Sequence, residues 1–168
     1  EVEGYVLIPD LLSADQIAKI KAQVATLETM GMDYSERQRT ASEVMFLGGE
    51  IAELAAHPTT ISFLRALLGD DIICTRGDYA RSEPGHPGMA IHTDAGGGGA
   101  PLVTVRVLYY LNDLTPERSP FRVVPYSHLS LHAEGNHFTR YVEHPDEVMV
   151  TANAGSAVFI NHRVFHGN

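Results

Sequence analysis

The sequence predicts an α+β fold that is mainly β, with a helical part over residues 1–70 and a β-rich body over 71–168. Two observations carry this prediction. Before position 70, apolar residues recur at helical spacing; from Asp71 onward, β-branched or aromatic runs alternate with Gly, Pro, Asn and Asp. The second texture is that of an antiparallel sandwich or barrel. At 168 residues the chain has the length of one domain, and we read 1–168 as a single domain.

The elements follow in order. Tyr5-Val6-Leu7-Ile8 is a short extended piece. Ser13-Ala14-Asp15-Gln16 reads as a capping box, in which the hydroxyl and the amide satisfy backbone N–H groups that a helix start leaves without partners. Ile17, Ile20, Val24 and Leu27 then form one buried stripe. A second helical region begins near Glu50, breaks at His57-Pro58 and resumes through Phe63, Leu64, Leu67 and Leu68. It stops at Gly69, whose tolerance of positive φ suits a helix end. The candidate strands are 71–76, 78–82, 89–93, 102–111, 121–124, 147–151 and 156–166. Gly96-Gly97-Gly98-Gly99 cannot hold a strand and predicts a mobile loop.

Composition excludes several functions. The formal charge is −9 and the basic residues are scattered, so the patch that a phosphate backbone requires is missing, and no nucleic-acid partner is expected. No apolar run approaches the ~20 residues that cross a bilayer. Glu1-Val2-Glu3-Gly4 lacks the basic start of a secretion signal. A soluble, cytoplasmic protein is expected. Cys74, the one cysteine, stands in an apolar run and reads as a small buried hydrophobe. Both ends look trimmed, and the C-terminus is expected to be incomplete because His166-Gly167-Asn168 stops inside what reads as a working segment.

Nine histidines invite a search for a metal site. His57, His86 and His144 each precede a Pro, which forces the chain extended, and they read as structural. His132 and His137 lie in a polar segment without periodicity. His92-Thr93-Asp94 differs because residues two apart on a strand project to one face, so an imidazole nitrogen and a carboxylate oxygen converge on one ion. Two histidines and one carboxylate suit iron(II) and leave three coordination positions open. The third ligand must come from far along the chain. His162 and His166 are four residues apart in an apolar strand-like stretch, and spacing alone leaves both open.

Taken in order, these motifs resemble the phytanoyl-CoA dioxygenase-like family of iron(II), 2-oxoglutarate-dependent oxygenases over nearly the whole chain. The resemblance rests on Gly4-Tyr5-Val6 with the capped helix, Leu67-Leu68-Gly69, His92-Thr93-Asp94 and Leu111-Asn112-Asp113. It continues in Val123-Val124-Pro125-Tyr126-Ser127-His128, where Tyr126 replaces the usual Gly, and closes in Gly155 with His166-Gly167. It implies a double-stranded β-helix, a jelly-roll or cupin-like core flanked by N-terminal helices. It also implies His92, Asp94 and His166 as the catalytic metal ligands, with His162 a supporting histidine and His128 part of a loop.

The cofactors that follow from the resemblance are Fe(II), 2-oxoglutarate as cosubstrate and dioxygen, with succinate and CO2 released as an unactivated C–H bond of a small molecule is hydroxylated. Halogenating members carry a small residue where Asp94 stands, so a carboxylate favours hydroxylation, desaturation or ring formation. The family anchors oxoglutarate with an Arg about ten residues past the distal His, by a bidentate charge-assisted pair; that position falls beyond Asn168. Within the chain, Thr104, Arg106 and Leu108 share a strand face, and the family points the place of Leu108 at the cosubstrate. With Tyr79 they are the candidate cosubstrate residues. Arg106 otherwise faces solvent. Arg37, Arg39 and Arg81 read as surface arginines that can attract an acidic substrate. Two rival classes share the fold: a zinc or manganese isomerase or hydrolase on the same triad, and a binding module without catalysis. The oligomeric state has no signature in the sequence.

Overall fold

The computed structural model describes residues 3–32, 35–94, 103–118, 120–129 and 143–168. The Gly96–Gly99 loop, His132 and His137 lie outside them. The elements are β1 (Tyr5–Ile8), α1 (Ala14–Val24), β2 (Met30–Met32), β3 (Ser35–Ala41), α2 (Gly49–Ala55), α3 (Pro58–Leu68) and β4 (Tyr79–Ser82). The order continues with β5 (Val105–Tyr109), β6 (Phe121–Val124), β7 (Val148–Val150), β8 (Ala157–Asn161) and β9 (Phe165–Gly167). The fold is mixed α and β, mainly sheet. No described helix is long and apolar enough to cross a membrane. The chain divides into two compact units, Ala14–His86 and Glu1–Ser13 with Pro87–Asn168.

In the unit 14–86, local chemistry sets the helix ends. Pro58 occupies the first turn of α3, where a missing N–H costs nothing, and it holds His57 extended at φ −56, ψ 126. Gly69 at φ 94 ends α3, its N–H donating to Arg65 O at 2.9 Å. Ile20 is the buried residue of α1. The sheet β2-β3-β4 adds strands to a part of the chain read as mainly helical, two of them between the expected helical stretches. Ser35–Ala41 is charged and lacks alternating apolar residues, so only its pairing with Tyr79–Ser82 and with β2 reveals it as a strand. Residues 71–76 form no strand; Ile73 and Cys74 stand exposed there, with Cys74 Sγ 3.4 Å from Met45 Sδ. The expectation of a buried cysteine is thereby corrected: an irregular segment with no ladder partner has no reason to bury it.

The other unit is built on two three-stranded antiparallel sheets, β1-β8-β5 and β7-β6-β9. β8 is apolar on both faces, as a central strand should be, with all of Ala157–Ile160 buried. Gly155, at φ 92, makes the turn that leads into it. Val158 and Ile160 of one sheet and Phe121, Val123 and Val150 of the other join Leu114 and Val164 in one buried cluster. Each fully buried side chain of this kind contributes roughly 1.5–3 kcal/mol.

The expected strand 156–166 is broken. A turn closed by Val164 N to Asn161 O at 2.9 Å, and braced by Arg163 N to Asn161 Oδ1 at 3.0 Å, carries the chain from β8 in one sheet to β9 in the other. The side-chain amide of Asn161 competes for local backbone donors and so favours the turn. Residues 89–93 likewise hold no full strand. They contribute one bridge, His92 to His166.

Candidate metal centre

That bridge starts the site. His92 N donates to His166 O and His166 N to His92 O, both at 2.9 Å, the pattern of a directly opposed antiparallel pair whose side chains rise from the same face. Two residues on, Asp94 N donates to His162 O at 2.9 Å, which fixes the carboxylate on that face too. The three side chains meet there, with one ligand atom from each of His92, Asp94 and His166 within 4.8 Å of the others. His92 Nε2 lies 3.9 Å from Asp94 Oδ1, and His166 Nε2 lies 3.6 Å from Asp94 Oδ2.

Each imidazole is oriented in the same way. His92 Nδ1 donates to Ala90 O at 2.8 Å and His166 Nδ1 to Val164 O at 3.0 Å, in both cases the carbonyl two residues upstream. A carbonyl only accepts, so the proton sits on Nδ1 and the Nε2 lone pair is left for another partner. Burial pushes the pKa of His166 down to about 4, helped by the neighbouring His92 and Arg106 and opposed by the Val164 bond and Asp94. His166 is therefore neutral at pH 7. Asp94 Oδ2 is buried and has no hydrogen-bond partner among the described residues. A buried carboxylate oxygen with no partner among the described residues, 3.6 Å from His166 Nε2 and on a carboxylate whose other oxygen lies 3.9 Å from His92 Nε2, is costly without a cation, and this donor set fits a divalent metal of the first transition row.

The other candidates take distinct places. His162 sits in the turn after β8, donating from N and Nδ1 to Thr104 O at 3.1 and 3.0 Å, so it supports the strand ends and its backbone holds Asp94. Thr104 is exposed at the start of β5. Arg106 faces Ile160 and Leu108 faces Val158 across the ladder, on the face that also carries Tyr5 and Leu7. Leu108 packs against the apolar cluster, whereas Arg106 Nη2 reaches Asp94 Oδ1 at 3.0 Å. Tyr79 belongs to β4 of the other unit and pairs with Ala41. Arg39 and Arg81 are directly opposed on β3 and β4, with Arg37 two residues before Arg39, so all three share one face of that sheet. Each has a local partner: Pro84 O for Arg37, Thr29 O for Arg39 and Glu83 for Arg81.

Sequence reasoning missed the groups that act through the backbone. The carbonyls of Ala90, Val164 and His162 orient the triad, and none has a side-chain signature. Gly167 is the exception. A Cβ there would stand 2.8 Å from Met89 O and 3.2 Å from Ala90 O, which explains why a glycine follows the distal histidine.

Several solved structures resemble this chain. HygX from Streptomyces hygroscopicus, solved with nickel, 2-oxoglutarate and hygromycin B bound, is 17% identical and has a TM-score of 0.85, covering 99% of this chain and 76% of its own. The epimerase SnoN, in complex with Fe3+, alpha ketoglutarate and nogalamycin RO, is 22% identical with a TM-score of 0.77, covering 99% and 72%. The alpha ketoglutarate-dependent carbocyclase SnoK from nogalamycin biosynthesis is 23% identical with a TM-score of 0.78, covering 99% and 73%. At these identities the likeness shows the fold. No curated protein sequence matches. The family profile described as phytanoyl-CoA dioxygenase (PhyH) matches residues 1–168, and the chain belongs to that family.

Proposed function

We propose that this chain is a non-haem iron(II), 2-oxoglutarate-dependent oxygenase that hydroxylates, or otherwise oxidises, an unactivated C–H bond of a small-molecule metabolite, with release of succinate and CO2. The observation that carries the reading is the carboxylate of Asp94, whose buried Oδ2 has no hydrogen-bond partner among the described residues, set beside His92 and His166, whose Nδ1 atoms are already committed to carbonyls. Iron with oxoglutarate and dioxygen supplies the C–H oxidation; the protein supplies ligand geometry and exclusion of water. His92, Asp94 and His166 are the proposed ligands. Phe121, whose ring lies 5.8 Å from that of His166, shields the distal histidine from solvent. Oxoglutarate is assigned to the side bordered by Arg106, with Thr104 and Leu108 on its strand face.

The two sheets sharing one apolar cluster support a double-stranded β-helix as the frame, and the family match over residues 1–168 supports reading the chain as one oxygenase domain. The hygromycin B bound by HygX and the nogalamycin RO bound by SnoN support a small molecule as substrate. Because the neighbours include an epimerase and a carbocyclase, the oxidation can end in something other than a hydroxyl group.

Anaerobic titration of the metal-free protein with iron(II) and then oxoglutarate tests this. One iron per chain is expected, with the weak visible charge-transfer band of the chelate, and both are lost in His92→Ala, Asp94→Ala and His166→Ala. Full affinity in His166→Ala with loss in His162→Ala would overturn the choice of distal ligand. Metal binding with no oxoglutarate band, and activity with zinc or manganese, would replace the oxygenase by the isomerase or hydrolase reading.

A further inference from the structure

The two oxygens of Asp94 are not equivalent. Oδ2 is buried, lacks a hydrogen-bond partner among the described residues and faces His166 Nε2 at 3.6 Å, while Oδ1 is held by Arg106 Nη2 at 3.0 Å. A carboxylate left to itself can take a cation through one oxygen or through both. Here the second oxygen is already engaged. Arg106 is delivered from β5, whose register is fixed on both sides of it by Val105 against Asn161 and Val107 against Phe159, so the guanidinium approaches from a rigid element and not from a loop.

We infer that Arg106 is a positioning residue for the metal ligand Asp94: by occupying Oδ1 it restricts the carboxylate to one metal bond through Oδ2 and keeps an adjacent coordination position open. The inference rests on the proposed metal triad and deepens it. A partner that hydrogen-bonds a ligand's free atom commonly sets ligand orientation, and its loss changes the site 10–100-fold. The planar guanidinium also keeps N–H groups beyond the one used on Asp94. They border the position so protected, where an anionic group of cosubstrate or substrate would meet them. Arg106 is half exposed, so its removal does not open a core cavity.

The test uses cobalt(II), whose visible absorption reports coordination, in the full chain without oxoglutarate. Wild type, Arg106→Leu, Arg106→Lys and the control Asp94→Ala are titrated, with circular dichroism verifying the fold of each. Arg106→Leu should bind one cobalt with an altered spectrum, as the freed Oδ1 also reaches the metal, and Arg106→Lys should return the spectrum towards wild type. Oxoglutarate affinity of Arg106→Leu should then fall by a factor on the order of ten, because the chelating carboxylate competes for its position. A cobalt spectrum identical in wild type and Arg106→Leu would overturn the inference, even if oxoglutarate binds more weakly, since a direct contact with the cosubstrate leaves the cosubstrate-free spectrum unchanged. Absence of stoichiometric cobalt in wild type itself would overturn the proposed triad instead.

Discussion

Gly167 shows how a residue with no side chain shapes the chemistry of its neighbours. Its φ is not in the left-handed region, so alanine is allowed there on backbone grounds, and the objection to it is contact alone. The added Cβ would press on Met89 O and Ala90 O, and Ala90 O is the acceptor that orients His92 through Nδ1 at 2.8 Å. Gly167→Ala is therefore expected to cost about 1–3 kcal/mol of stability by overpacking. It should also weaken metal binding by a factor on the order of ten, through a displaced His92. Urea unfolding and metal titration check the two effects separately; a destabilised variant with wild-type metal affinity would mean that Ala90 O does not control His92. Asp94 behaves in the opposite sense. Its Oδ2 is a buried acceptor without a hydrogen-bond partner among the described residues, so Asp94→Ala removes a desolvation cost while taking from the half-exposed Arg106 its ion pair. Metal-free Asp94→Ala should unfold within about 1 kcal/mol of wild type, yet lose the stabilisation that added metal gives wild type. A large loss of stability in the metal-free state would show that Asp94 is structural first.

Strand β6 carries its own test of how an element is held. Phe121 and Val123 point into the apolar cluster, while Arg122 projects to the other face and forms a two-pronged pair with Glu147, at 2.8 and 2.6 Å, with both side chains nearly buried. Burial alone would raise the Glu147 pKa, but the Arg122 bond, the His144 N–H and the Arg122 charge outweigh it and lower it. Arg122→Met leaves that carboxylate buried without its cation and should cost about 3–5 kcal/mol, whereas Arg122→Met with Glu147→Leu should recover most of the loss. Equal losses in both variants, measured by urea unfolding, would mean that packing of the guanidinium stem and not the ion pair holds β6 to β7. The same part of the chain shows what was legible in the sequence. Apolar runs at 121–124 and 147–151 announced β6 and β7 because both combine β-branched residues with turn signals on either side. The run 156–166 was legible as apolar but not as two strands, since the crossover at Asn161–Val164 depends on an amide side chain bonding its own backbone. Parity thus could not separate His162 from His166, whereas the turn does so at once. β3 was not legible at all, because its charged residues pair through main-chain groups that carry no residue code.

At the scale of the whole molecule, the proposed metal site would link folding to metal binding through His166. Its side chain is 5% exposed, and burial, with His92 beside it, lowers its pKa to about 4 against an ordinary value of 6.5. Because the folded value is the lower one, the unfolded chain binds the proton first as the pH falls. The stability contribution of a neutral His166 is therefore complete above pH 6.5, declines by about 1.4 kcal/mol per pH unit below it, and is exhausted near pH 4, where both states are protonated. Over that window the metal-free protein should lose on the order of 3 kcal/mol that His166→Gln, with no titrating group there, does not lose. Metal on Nε2 excludes the same proton, so bound metal should stabilise the fold in proportion to its concentration, by about 2.7 kcal/mol at a hundredfold excess over its dissociation constant. Acid should erode that stabilisation across the same pH range. Urea unfolding of wild type and His166→Gln between pH 7.5 and 4.5, with and without iron(II) under anaerobic conditions, measures both. Parallel pH profiles for the two metal-free proteins would show that the acid sensitivity arises from other groups, and a metal-induced stabilisation that persists undiminished at pH 4.5 would place the ion on ligands other than His166.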